Sequence, residues 1–184
     1  MKKVQVGDPA PDFTWAARSG EQVRLSEVRN EQVVVLFFYP RDGSVICTKE
    51  ACAFRDAYDQ FAEIGAVVIG VSGDSAESHS AFAARHSLPF FLVSDTDGSI
   101  RKAFGVPKTL GLLPGRVTYV IDQAGIVRLV FSAPMMADRH VTEALRVVGG
   151  TGSRDYGLSH NRKPRCGATL PTNSDGYVDG KEMR

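Results

Sequence analysis

The sequence predicts an α/β protein: a mixed central β-sheet flanked by helices, with a small extra β-hairpin near the N-terminus. Three observations lead there. Two continuous apolar runs, "VVVLFFY" (33–39) and "AVVIGV" (66–71), are rich in β-branched and aromatic residues, as strands buried on both faces of a parallel sheet are. Between them Phe54, Ala57, Tyr58, Phe61 and Ile64 recur at three- and four-residue steps, the apolar stripe of a helix. Farther on, "VTYVI" (117–121) and "IVRLVF" (126–131) flank "DQAG", which reads as a hairpin.

In chain order, "DFTW" and "QVRL" form the small N-terminal hairpin. Residues 33–71 make a strand–helix–strand crossover whose helix begins just before Cys47 and continues through Phe61. A second helix is expected from about Ser75 to His86, with Asp74 and Glu77 as its capping box. "FFLVS" (90–94) is a short strand and "DTDG" (95–98) a turn. A last helix, roughly Asp138 to Val148, sets Val141, Ala144, Leu145 and Val148 on one side and is stopped by Gly149-Gly150. This succession is of thioredoxin type. Residues 1–149 are expected to form that domain. In 150–184 only Leu158, Leu170, Val178 and Met183 are large aliphatic residues, which predicts a polar, flexible tail rather than a second domain.

A chain of 184 residues is long enough to bury a real core. Its 22 basic and 21 acidic side chains leave a net charge of +1, without the basic surplus of a nucleic-acid binder. The longest apolar run, the seven residues Val33 to Tyr39, is far too short for a membrane span. "MKKVQVGDPAPDF" lacks the apolar h-region of a secretory signal. The expected setting is cytoplasmic, or an organelle such as the chloroplast if a transit peptide precedes residue 1 and is removed. Three cysteines without a signal do not suggest a disulfide framework; in a reducing setting they are candidates for chemistry.

Two of the three stand in "SVICTKEAC" (44–52). Cys47 follows the strand 33–39 and the loop "PRDGS", so it falls in the first turn of a helix. Unpaired N–H groups and the positive dipole end there favour a thiolate. Alone, Cys47 reads as a buried plug at the helix–sheet junction; Cys52 changes that balance. An ideal helix puts Cα atoms five residues apart at roughly 8.7 Å. A disulfide tolerates only about 7 Å. The two thiols are neighbours that can bond only if the helix unwinds, a poor staple but a workable transient bond. The C-x-x-x-x-C spacing also differs from the C-x-x-C of thioredoxin-like reductases.

From about residue 3 to 148 the chain resembles the peroxiredoxins, specifically the peroxiredoxin Q (bacterioferritin comigratory protein) group. Pro40, Ser44 and Cys47 fit that family's pattern of Pro, three residues, Thr or Ser, two residues, Cys. Cys52 in "CTKEAC" matches the resolving position of the Q group, and Arg116 in "GRVTYVID" matches the active-site arginine. "GVSGDSAESH", "LPFFLVSD" and "RKAFGVPK" also resemble the group. The resemblance implies a peroxidase for hydrogen peroxide and alkyl hydroperoxides. Cys47 would be the peroxidatic nucleophile, oxidised to a sulfenic acid. Ser44, the backbone N–H groups and Arg116 would hold the peroxide oxygens, and Pro40 would shield the sulfur. Cys52 would close a disulfide, reopened by a thioredoxin-like reductant. No cofactor is implied, and an internal resolving cysteine makes a monomer the default. One departure is plain: Val45-Ile46 stands where the family usually has Pro-Gly. It predicts a narrower or more apolar pocket and a stiffer first turn.

Two other classes compete. One is a copper-delivery module of the same fold, with Cys47, Cys52 and His140 as ligands. The other is a redox sensor that oxidises without turnover. His79 and His86 read as solvated histidines on an exposed helix, and Cys166 as a bystander in the tail.

Overall fold

The computed structural model describes residues 3–17, 20–109 and 113–151. The chain opens with β1 (Thr14–Ala16), β2 (Gln22–Arg24), α1 (Leu25–Glu31), β3 (Val33–Phe38), α2 (Val45–Asp56), α3 (Tyr58–Glu63) and β4 (Ala66–Ser72). It continues through α4 (Ala76–His86), β5 (Phe91–Ser94), α5 (Ser99–Ala103), β6 (Lys108–Thr109) and β7 (Leu113–Pro114). The last described elements are β8 (Val117–Ile121), β9 (Val127–Phe131) and α6 (Ala137–Thr151).

The main sheet has the order β5-β4-β3-β8-β9. β3, β4 and β5 are parallel; β8 runs antiparallel to β3, and β9 antiparallel to β8. β3 therefore lies in the middle, which explains why its apolar run never alternates with polar residues. Its odd positions Val35 and Phe37, with Tyr39 beyond its end, pack on one face against Cys47, Ala51, Phe54, Phe61, Phe82, Val141 and Val148. Its even positions Val34, Leu36 and Phe38 pack on the other against Trp15, Leu25, Ile100 and Phe104. Phe37 stacks on Phe54 with ring centroids 4.5 Å apart. Gly70 on β4 makes room for it: a Cβ there would sit 2.7 Å from the Phe37 ring.

The thioredoxin-type mixed sheet and the N-terminal hairpin are present as expected. Several details differ. The crossover helix does not run unbroken through Phe61 but is divided at Ala57 (φ −99°, ψ 4°) into α2 and α3. Ser75, not Asp74, caps α4, accepting from the Ser78 N–H; the Asp74 carboxylate is taken instead by the Ser72 hydroxyl and the Asp42 N–H. Gly149-Gly150 does not stop α6, which continues to Thr151. Glycine costs a helix about 1 kcal/mol per residue, and the preceding turns are anchored by buried Val141, Ala144 and Val148. α1 and α5 are too short to show a helical period. α5 is nucleated by Asp95 of the expected turn, whose carboxylate accepts from the Ile100 and Arg101 N–H groups. The expected tail beyond Thr151, with Cys166, lies outside the described residues.

Candidate active site

Ser44 begins the site. Its extended backbone ends the loop after β3, and its Oγ accepts from the Cys47 N–H at 3.4 Å. Cys47 is thus the third residue of α2, over the carboxyl end of the central strand, and is 1% exposed. The register of the sheet supplies its partner. Because β8 is antiparallel to β3, with Val117 opposite Phe38, the residue before β8 stands beside the loop leaving β3. That residue is Arg116, 3% exposed. Gly115 is needed here, since any Cβ would collide with the Pro107 carbonyl oxygen.

All three guanidinium nitrogens of Arg116 are engaged. Nη2 donates to Cys47 Sγ at 3.1 Å, Nη1 to Glu50 Oε2, and Nε to the Pro134 carbonyl at 3.2 Å. A planar fork held at three points cannot swing away from the sulfur. Glu50 lies one helical turn after Cys47 and is fully buried. Its other oxygen, Oε1, is 3.5 Å from His140 Nδ1 and has no hydrogen-bond donor. His140 Nε2 faces the Ala133 carbonyl at 3.0 Å, so that nitrogen carries the proton; Nδ1 accepts from the Thr118 hydroxyl at 2.8 Å.

Two influences oppose each other at Glu50. Burial raises its pKa and Arg116 lowers it; burial is the larger, and Glu50 is pushed up to about 8. The geometry agrees, because an ionised Oε1 would point a bare lone pair at another lone pair. Burial, with Arg116 adding repulsion, pushes His140 down to about 4. With both groups neutral, the charge of Arg116 is left for a thiolate at Cys47.

Cys52 lies partly buried on the same helix. Both thiols are free, and α2 is intact across them. Cys52 Sγ is 4.0 Å from His86 Nδ1. Val45 is 86% exposed at the first position of α2, and Ile46 is half-buried beside it. Met135 and Met136 are exposed on the loop whose Pro134 carbonyl holds Arg116. Pro40 is half-buried just beyond β3.

His79 is not a solvated histidine. It is 4% exposed, and its Nδ1 meets Asp42 Oδ2 at 2.8 Å. Tyr39 and Ser78 donate to the same carboxylate at 2.7 and 2.8 Å. Burial pulls Asp42 up, but the bonds from His79, Tyr39 and Ser78 outweigh it and hold the carboxyl below its ordinary range. This buried knot fixes the loop between Pro40 and Ser44. His86, half-buried, is not freely solvated either, since it faces Cys52.

The sequence reading missed Glu50. The available signal was its three-residue step from Cys47 along one helix face. The copper reading gains nothing: both ring nitrogens of His140 are engaged, and no group of three potential ligands gathers among the described residues.

Comparison with known proteins identifies the family. Residues 6–130 match the AhpC/TSA family. Chloroplastic peroxiredoxin Q of Sedum lineare is 48% identical over 147 residues, covering 79% of this chain and 78% of the relative. The chain belongs to the peroxiredoxin family. Chloroplastic peroxiredoxin Q of Arabidopsis thaliana is 47% identical over 78% of this chain and 67% of its own length. Among solved structures, peroxidoxin BcpB from Mycobacterium tuberculosis superposes with a TM-score of 0.73 at 37% identity, over 80% of this chain and 97% of the other. The C47S mutant of Xylella fastidiosa PrxQ superposes with 0.70 at 28% identity, over 79% and 98%. As a peroxiredoxin of the Q group, the protein is a thiol-dependent peroxidase. The sensor reading, like the copper one, finds no support. No helix among the described residues is long and apolar enough to cross a membrane.

Proposed function

We propose that Cys47 is the peroxidatic residue of this peroxidase and Cys52 its resolving residue. The contact between Arg116 Nη2 and Cys47 Sγ, 3.1 Å long and buried at a helix N-terminus, supports the reading above all else. The thiolate attacks one peroxide oxygen, the O–O bond breaks, and the leaving alkoxide or hydroxide takes up a proton. Arg116, the Ser44 hydroxyl and the first N–H groups of α2 stabilise the departing charge. Pro40 closes the loop over the sulfur. The Cys47 sulfenic acid then condenses with the Cys52 thiol, releasing water, once the first turns of α2 unwind. A thioredoxin-like dithiol reopens the disulfide by exchange.

Substrates are hydrogen peroxide and alkyl hydroperoxides. Val45 and Ile46, standing at the start of α2 where the family has Pro-Gly, favour the latter. Residues 1–149 form the catalytic unit and the chain acts as a monomer, since resolution needs no partner thiol. The chloroplastic plant relatives favour an organelle over the cytoplasm.

One experiment tests the roles. The reduced protein receives one equivalent of hydrogen peroxide, is alkylated, and is mapped by mass spectrometry. A Cys47–Cys52 disulfide formed in seconds, and absent from Cys47→Ser, is the expected product. Lasting sulfenic or sulfinic Cys47 beside free Cys52 refutes the resolving role. Thiols left unchanged for minutes refute the peroxidatic one.

A further inference from the structure

Cys52 does not share the machinery of Cys47. Five residues at about 100° each turn it roughly 140° away around the α2 axis, so the face that meets Arg116 and Glu50 is not the face that carries Cys52. One basic side chain meets its sulfur instead, His86 at the end of α4, with Nδ1 4.0 Å from Sγ. The ring is held in place. Phe82 packs against it at 5.0 Å between centroids, and Arg55 Nη1 donates to the His86 carbonyl at 2.9 Å. Ser87, left-handed at φ 50°, ends α4 directly after it. Arg55 also interacts electrostatically with Cys52.

We propose that His86 is a catalytic residue of the resolution step, acting as base and then acid for Cys52. This rests on the reading of Cys52 as the resolving thiol. His86 Nδ1 takes the Cys52 S–H proton as that sulfur attacks Sγ of the Cys47 sulfenic acid. The S–S bond forms, the S–O bond breaks, and the departing hydroxide takes the same proton back as water. No outside reagent enters. Ala51 and Phe54 hold the second half of α2 in the core, which confines the unwinding that brings the two sulfurs together to the first turns. Fast resolution also protects Cys47, because a sulfenic acid that lingers meets a second peroxide and becomes sulfinic.

Rapid-quench measurement on the full chain separates the two steps: bimolecular oxidation of Cys47, and first-order disulfide formation. His86→Ala and His86→Gln, at a half-exposed position, are compared with the parent. Oxidation is expected to keep its rate in both. Disulfide formation slows about 10²-fold, the usual size of a lost acid–base group. Sulfinic Cys47 then accumulates at peroxide doses the parent survives, and added imidazole restores the disulfide rate in His86→Ala. Disulfide formation within about twofold of the parent in both variants overturns the proposal. So does a slowed rate that imidazole does not rescue, which marks a purely structural role. A parent that forms no Cys47–Cys52 disulfide at all instead removes the resolving role on which the proposal stands.

Discussion

Glu50 is sealed between Arg116 and His140, and Glu50→Gln isolates what its proton does. In a free chain this carboxyl titrates at 4.5; in the fold it titrates at about 8. Between those values the native state holds a proton that the unfolded state has released, so stability falls as pH rises. His140 works in the other direction. Its fall from 6.5 to about 4 makes stability rise with pH across that lower range. Below about pH 6.5 the two therefore offset each other, and above it Glu50 acts alone. From pH 6.5 to 8, at about 1.4 kcal/mol per unit, its contribution declines by about 2 kcal/mol. Glutamine has the carboxyl's shape, still accepts from Arg116 and does not titrate. Denaturant unfolding of the reduced proteins at the two pH values is the assay. The expected result is a parent that weakens by about 2 kcal/mol more than Glu50→Gln over this window. Equal pH dependence in both, with the variant weaker throughout, would falsify the argument: Glu50 would then be an ionised partner of Arg116, and the site would lack the spare positive charge assigned to it.

Other outcomes follow from the same geometry. Arg116→Met removes the donor at Cys47 Sγ and is expected to slow peroxide reduction about 10²- to 10³-fold; a stopped-flow rate near the parent's contradicts the role given to Arg116. Gly115→Ala forces a Cβ into the Pro107 carbonyl and shifts the residue that carries the guanidinium. Both the melting temperature and the oxidation rate are expected to drop, and a parent-like oxidation rate shows that the loop does not position Arg116. Ile46→Gly loosens the first turn of α2 by about 1 kcal/mol; disulfide formation then quickens, whereas an unchanged rate means unwinding is not limiting. Phe54→Ala, which empties the place stacked on Phe37, costs about 3–5 kcal/mol by denaturant unfolding, and a cost under 1 kcal/mol contradicts the packing described for that face.

The sheet was legible because its central strands are buried on both faces, so β3 and β4 show as continuous apolar runs, and β8 and β9 as two strands about a turn. Cys47, Cys52, Ser44 and Arg116 stood out through spacing and family resemblance. What escaped notice has physical reasons. Glu50 looks like any exposed helix carboxylate until β8 brings Arg116 over it, and that meeting spans 66 residues of sequence. His79 and His86 sit at polar positions of α4, and periodicity alone reads such positions as wet. Their partners Asp42 and Cys52 belong to other elements. α1 and α5 hold seven and five residues, fewer than two helical turns, and their capping carboxylates carried the only local signal. The division at Ala57 has no glycine or proline to announce it.

The five-residue separation of roles along α2 has a mechanical consequence. A cross-link ordinarily tightens a protein, and its benefit grows with the length of chain it encloses. The bond proposed here encloses very little, yet closing it requires the opening turns of α2 to let go of the Ser44 cap and of Arg116. On this proposal, oxidation trades a rigid form for a softer one. The softened stretch carries the very sulfurs a reducing partner must reach, so the spent enzyme advertises its state by the looseness of its own chain.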